Sequence, residues 1–74
     1  MIPSPRSSSL QLTLNGEPRA VAAADLAALV AELGLEPRKV AIERNLEIVP
    51  RSLYSQTVLA DGDRIEIVHF IGGG

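Results

Sequence analysis

DLAALVAELGL, residues 25–35, carries Leu26, Leu29, Val30 and Leu33 at i, i+3, i+4 and i+7, which places all four in one stripe along an α-helix. Asp25 stands where an N-cap accepts from the first turn, and Gly34 where a left-handed residue ends the last turn. A helix this short is not stable alone in water, so its apolar stripe must be covered. The residues on either side have to supply the cover.

Both flanks read as strands. Upstream, LQLTL (10–14) alternates apolar and polar residues, Asn15-Gly16 is the preferred pair for a type I′ turn, and EPRAV (17–21) returns with Pro18 marking an edge or a strand start. Downstream, VAIERN (40–45) and EIV (47–49) read as two short strands, the second stopped by Pro50. RSLYSQTVL (51–59) has no clean period and is expected to be a loop with a turn of 3₁₀-helix. Asp61-Gly62 marks a turn, and RIEIVHF (64–70) closes the domain as a strand with Ile65 and Ile67 on one face and Arg64, Glu66 and Val68 on the other. Strand, strand, helix, strand, strand, strand is an α+β arrangement. It predicts a mixed sheet packed on one main helix, with the crossover after the second strand returning right-handed and parallel to an existing strand. That is the β-grasp, or ubiquitin-like, fold, which does not fix a function.

The boundaries follow from the same reading. Residues 1–9 are expected to be a disordered leader, 10–70 the β-grasp domain and 71–74 a flexible glycine tail. With 74 residues the chain holds one small domain, and at 46% apolar and 22% charged it has the composition of a folded one. It has no cysteine, which removes disulfides, thiolate catalysis and iron–sulfur ligation and fits a reducing cytoplasm. A net charge of −2 with singly spaced Lys and Arg gives no nucleic-acid stripe, and no apolar run is long enough to span a membrane. No cofactor or metal is expected to bind.

Catalytic groups are few. His69 is the sole histidine and reads as a half-exposed strand residue, with a partner-surface role as the alternative. Ser52 and Ser55 flank Tyr54 with no base beside them, so they read as loop serines. Asp61 and Asp63 around Gly62 read as turn chemistry, since an EF-hand loop needs further ligands in register. The chain ends on HFIGGG (69–74). A terminal carboxylate is a poor electrophile until it is activated, and residues without Cβ suit a tail that threads a narrow channel in another protein. An incidentally glycine-rich end is the plain alternative.

LNGE (14–17), EIVPRS (47–52), LADGDRIEIVHF (59–70) and the terminal Gly73-Gly74 resemble, in order and spacing, the ThiS family of sulfur carriers of thiamin thiazole biosynthesis. The likeness runs from Leu10 to Gly74. It implies a β-grasp fold and a chain that is not itself an enzyme. It further implies that a ubiquitin-activating-enzyme-like adenylyltransferase uses ATP to adenylate the carboxylate of Gly74. Sulfur from a cysteine desulfurase or related donor then leaves a C-terminal thiocarboxylate, and thiazole synthase takes that sulfur. On this view Gly72, Gly73 and Gly74 thread into the partner, and the third glycine adds reach without changing the chemistry.

Val68 and Phe70, with Ile71 next to the tail, suit partner docking, while Phe70 folding back over the core edge is the alternative. Arg51 and Arg64 read as solvated surface residues. The small subunit of molybdopterin synthase is the nearest rival, although HFIGGG lacks that family's proline-containing approach. A protein-conjugating modifier and a non-covalent ubiquitin-like interaction module are the others.

Overall fold

The computed structural model describes residues 9–70, and the expectations for the leader and the glycine tail lie outside them, apart from an exposed Ser9. Five strands, β1 (Leu10–Leu14), β2 (Glu17–Val21), β3 (Val40–Arg44), β4 (Glu47–Val49) and β5 (Arg64–His69), form one sheet in the order β2-β1-β5-β3-β4. The helix α1 (Leu26–Glu32) packs on it, and 3₁₀ helices occupy Pro37–Lys39 and Arg51–Gln56. This is the β-grasp arrangement expected from the element order.

The parallel pairing falls elsewhere than the crossover suggested. β3 pairs antiparallel with β5, and the parallel pair is β1 with β5, at Thr13 opposite Arg64 and Leu14 opposite Ile65. The crossover does leave β3 running the same way as β2, but β1 and β5 lie between them.

The helix forms as its sequence requires. Asp25 Oδ1 accepts from Ala28 N at 2.8 Å, and Gly34 takes φ +74°. Gly34 N donates to Ala31 O and Leu35 N to Val30 O, the two bonds of a Schellman motif. Leu26, Leu29 and Val30 are buried against Leu12, Val21, Ala23, Val40, Ile42, Tyr54, Leu59 and Ile65, with Leu33 at the edge. The Glu32 carboxylate accepts from Ala22 N and Ala23 N, tying the helix to the end of β2. Residues 57–59 strap the other end, because Leu26 N donates to Thr57 O and Leu59 N to Ala24 O.

Two tight turns aim side chains at β5. In the β1–β2 turn, Asn15 and Gly16 have φ +49° and +85°, the type I′ signs. Asn15 Oδ1 accepts from Ile67 N at 2.8 Å and its Nδ2 donates to Ile67 O at 3.3 Å, so a side-chain amide continues the ladder where β1 stops. The β3–β4 turn, Asn45-Leu46, has φ +52° and +73° with Arg44 opposite Glu47. Asn45 N donates to Arg64 O, its Oδ1 accepts from Arg64 N at 2.9 Å, and its Nδ2 donates to Asp63.

Asp63 is the buried charge among the described residues, 6% exposed. Its carboxylate accepts from Arg44 Nε at 2.9 Å, Asn45 Nδ2 at 3.1 Å and Ala60 N at 2.9 Å. Burial pushes this carboxyl up, but the bonds from Ala60, Asn45 and Arg44 and the Arg44 charge together hold it below the ordinary aspartate value. The depressed value means that Asp63 stabilises the fold above its unfolded pKa, and this contribution is lost as pH falls through the lower folded one.

Asp63→Asn should therefore lower the stability read from urea unfolding at neutral pH by about 2 kcal/mol. Its stability should also fall less than that of the unsubstituted chain on acidification. Leu46→Gly should raise stability by about 1 kcal/mol, because Leu46 holds a left-handed backbone and is 70% exposed. The two urea midpoints measured side by side check both.

Candidate functional site

β5 is the strand that leads to the tail. Its peptide groups alternate between neighbours: Arg64 and Phe70 bond to Asn45 and Lys39 on the β3 side, while Ile65 and Ile67 bond to Asn15 on the β1 side. His69 is next on the β1 side, beyond Asn15, where no described strand lies opposite. β5 thus outgrows β1, and its end is held from the β3 side by the 2.7 Å bond from Phe70 N to Lys39 O. The last described residue is fixed, and Ile71, Gly72, Gly73 and Gly74 follow outside the described residues.

The faces of β5 separate as the alternation requires. Ile65 is fully buried and Ile67 packs on the core, whereas Val68 and Phe70 are 59% and 49% exposed and Phe70 takes no part in the core. Val68 lies opposite Ala41, and Glu66 opposite Glu43, which in turn faces Ile48 on β4. Ile48 is 75% exposed. The outer face of the β5-β3-β4 half of the sheet therefore carries Phe70, Val68 and Ile48 around two acidic side chains. Ile48 and the acid pair escaped the sequence reading, because EIV is too short for a period and strand alternation does not give register across strands.

The remaining candidates take structural or surface places. His69 is exposed rather than half-exposed, because its pairing with Val40 sets it past the last core side chain of β5. Tyr54 is a core residue on the second 3₁₀ helix, which spans the whole of Arg51–Gln56 rather than a single turn, and burial pushes its phenol up. Ser52 and Ser55 are exposed on either side of it. Gly62 has φ +88° and Asp63 accepts from Ala60 N, the turn chemistry expected, whereas Asp61 Oδ1 accepts from Gln11 N at 2.7 Å and so ties the turn to β1. Arg51 is exposed, and Arg64 meets Glu66 at 3.7 Å with both side chains open to solvent, a pair of little energetic weight.

Among the described residues no three His, Cys, Asp or Glu side chains converge as a metal cage, and no helix is long and apolar enough to cross a membrane. Nothing among them makes a nucleophile, a base and an oxyanion site together. What the described residues offer is a strand held from β1 and β3, with an apolar and acidic outer face beside its end.

The model of the ThiS family matches residues 12–74. A thiazole synthase of Paramagnetospirillum magneticum is 56% identical over 66 residues, covering 88% of this chain and 20% of that protein. The sulfur carrier protein ThiS of Bacillus subtilis is 50% identical over 46 residues, covering 62% of this chain and 70% of that one. The crystal structure of the thiamine biosynthesis protein ThiS from Geobacter metallireducens superposes with a TM-score of 0.73 at 33% identity, over 88% of this chain and 100% of that one. The chain thus spans about a fifth of the length of the thiazole synthase it matches and most of the length of the small carriers.

Because Val68 and Phe70 leave the core alone, Val68→Thr and Phe70→Ser should each change stability by about 0.5 kcal/mol or less. Thermal unfolding of the two variants beside the unsubstituted chain checks this.

Proposed function

Because the chain belongs to the ThiS family, the sulfur carriers of thiamin biosynthesis, we propose that the carboxylate of Gly74 is its functional group. The observation that carries this reading is that the family match extends through residue 74, taking in the three glycines that follow β5. An adenylyltransferase related to ubiquitin-activating enzymes binds ATP. A carboxylate oxygen of Gly74 attacks the α-phosphorus, pyrophosphate leaves, and a mixed anhydride with AMP results. A sulfide equivalent from a cysteine desulfurase or related donor then attacks the acyl carbon. AMP departs, and one oxygen of the original carboxylate has been replaced by sulfur.

The chain contributes presentation rather than catalysis. Gly72, Gly73 and Gly74 have no Cβ to meet the walls of a narrow channel, so backbone and phosphates approach closely. β5, held between β1 and β3, is the firmly placed strand that they follow in the chain. The Val68 and Phe70 face, with Ile71, docks the partner beside the channel. Thiazole synthase is the acceptor, a reading supported by the proteins of that name in which a stretch matching 88% of this chain occurs. Such chemistry belongs in the cytoplasm, which suits a chain without cysteine.

Incubation with ATP, the adenylyltransferase and a sulfide source should raise the intact mass by the exchange of one oxygen for one sulfur. A parallel chain lacking Gly73 and Gly74 should not change. No exchange in the full-length chain, with adenylyltransferase binding intact, would show that the tail is not the handle.

A further inference from the structure

The β1–β2 turn pairs an asparagine that is fully engaged with a glycine that is not. Asn15 Oδ1 accepts from Ile67 N at 2.8 Å and its Nδ2 donates to Ile67 O at 3.3 Å, so both polar atoms of the amide are held by one residue of β5. Backbone pairing of β1 with β5 ends at Leu14 opposite Ile65, and among the described residues this amide is the last tie on that side. The next peptide is open. Among the described residues Gly16 N donates to no acceptor, and nothing lies within 4 Å of where a Cβ on Gly16 would stand. Both residues are exposed, so water reaches the turn. Asn45 is the other asparagine of the chain, and its turn is also left-handed, but Leu46 follows it.

A side-chain amide followed by an unhindered peptide nitrogen can react with itself. We propose that Asn15 is a site of spontaneous hydrolytic modification, gated by its clasp on Ile67. When the clasp opens, Gly16 N gives its proton to solvent and attacks Asn15 Cγ, the Cγ–Nδ2 bond breaks, and ammonia leaves. Water then opens the resulting cyclic imide. Attack at Cγ gives aspartate, and attack at the main-chain carbon gives isoaspartate. One water is consumed, one ammonia is released, and nothing is oxidised or reduced. In the aspartate product a carboxylate oxygen stands where Nδ2 donated to Ile67 O, so that bond is lost. Isoaspartate also lengthens the main chain of a two-residue loop and disturbs the pairing of Leu14 with Glu17. Either product leaves β5 held from the β3 side and loosened on the β1 side.

The test incubates the full chain at mildly alkaline pH, folded and in urea, and follows both asparagines by peptide mass. Asn15 should lose ammonia while Asn45 persists. Opening two hydrogen bonds should make the folded chain react about tenfold or more slowly than the unfolded one. The modified chain gains a negative charge and separates by ion exchange. Its thermal midpoint should be lower, and its Ile67 amide should exchange hydrogen faster. Asn15→Asp reproduces the aspartate product without lengthening the main chain and should show the same two changes. An Asn15 that persists in urea, or an Asn45 that reacts as fast, would overturn the site. Equal rates in the folded and unfolded chains would overturn the gating, and unchanged Ile67 exchange in Asn15→Asp would overturn the clasp.

Discussion

The carboxylate of Asp63 joins two parts of the chain that are far apart in sequence, its own loop and the end of β3 with the turn after it. It is buried just before β5 and accepts from Arg44 at the end of β3, Asn45 in the following turn and Ala60 in its own loop. A buried charge is tolerated only when its lone pairs are satisfied, and here three donors satisfy them. Because Arg44 and Asn45 belong to one hairpin, satisfying Asp63 also sets the register of β3 against β5. The rest of the sheet follows from that register, since β5 is the strand through which the β1–β2 and β3–β4 hairpins are joined.

Two asparagines complete the hold on β5. Each sits in a turn at positive φ, which asparagine tolerates better than most residues, and each uses its side chain as a substitute for strand backbone. Asn15 does so on the β1 side at Ile67, and Asn45 on the β3 side at Arg64. The strand is thus gripped at its start and middle while its last residues run past β1.

The helix plays a different part. Its buried leucines and Val30 fill the space over Leu12, Ile42 and Ile65 and keep the inner face dry. Among the described residues the outer face has no such cover, and there the fold tolerates opposed carboxylates, an exposed Ile48 and a leucine in a glycine conformation. A stability optimum would remove all three. Their grouping on one hairpin and its neighbour is what separates that face from ordinary surface.

Much of this was legible in local pattern. The Asn15-Gly16 turn, the helix with Asp25 and Gly34 at its ends, the alternation of β5 and the terminal glycines each depend on residues within a few positions of one another, where periodicity and turn chemistry act. Asp63 read as a turn aspartate, which it is, but its bonds to Arg44 and Asn45 span 19 and 18 residues. Asn45-Leu46 gave no turn signal because leucine at positive φ is strained, and the strain is held by contacts to Arg64 and Asp63 that form only when β5 is in place. The pairing of β1 with β5, and with it the meeting of Glu43, Glu66, Ile48 and Val68, depends on which strands the closed sheet sets side by side. Alternation along a strand tells which residues share a face, whereas register between strands is a property of the packed whole.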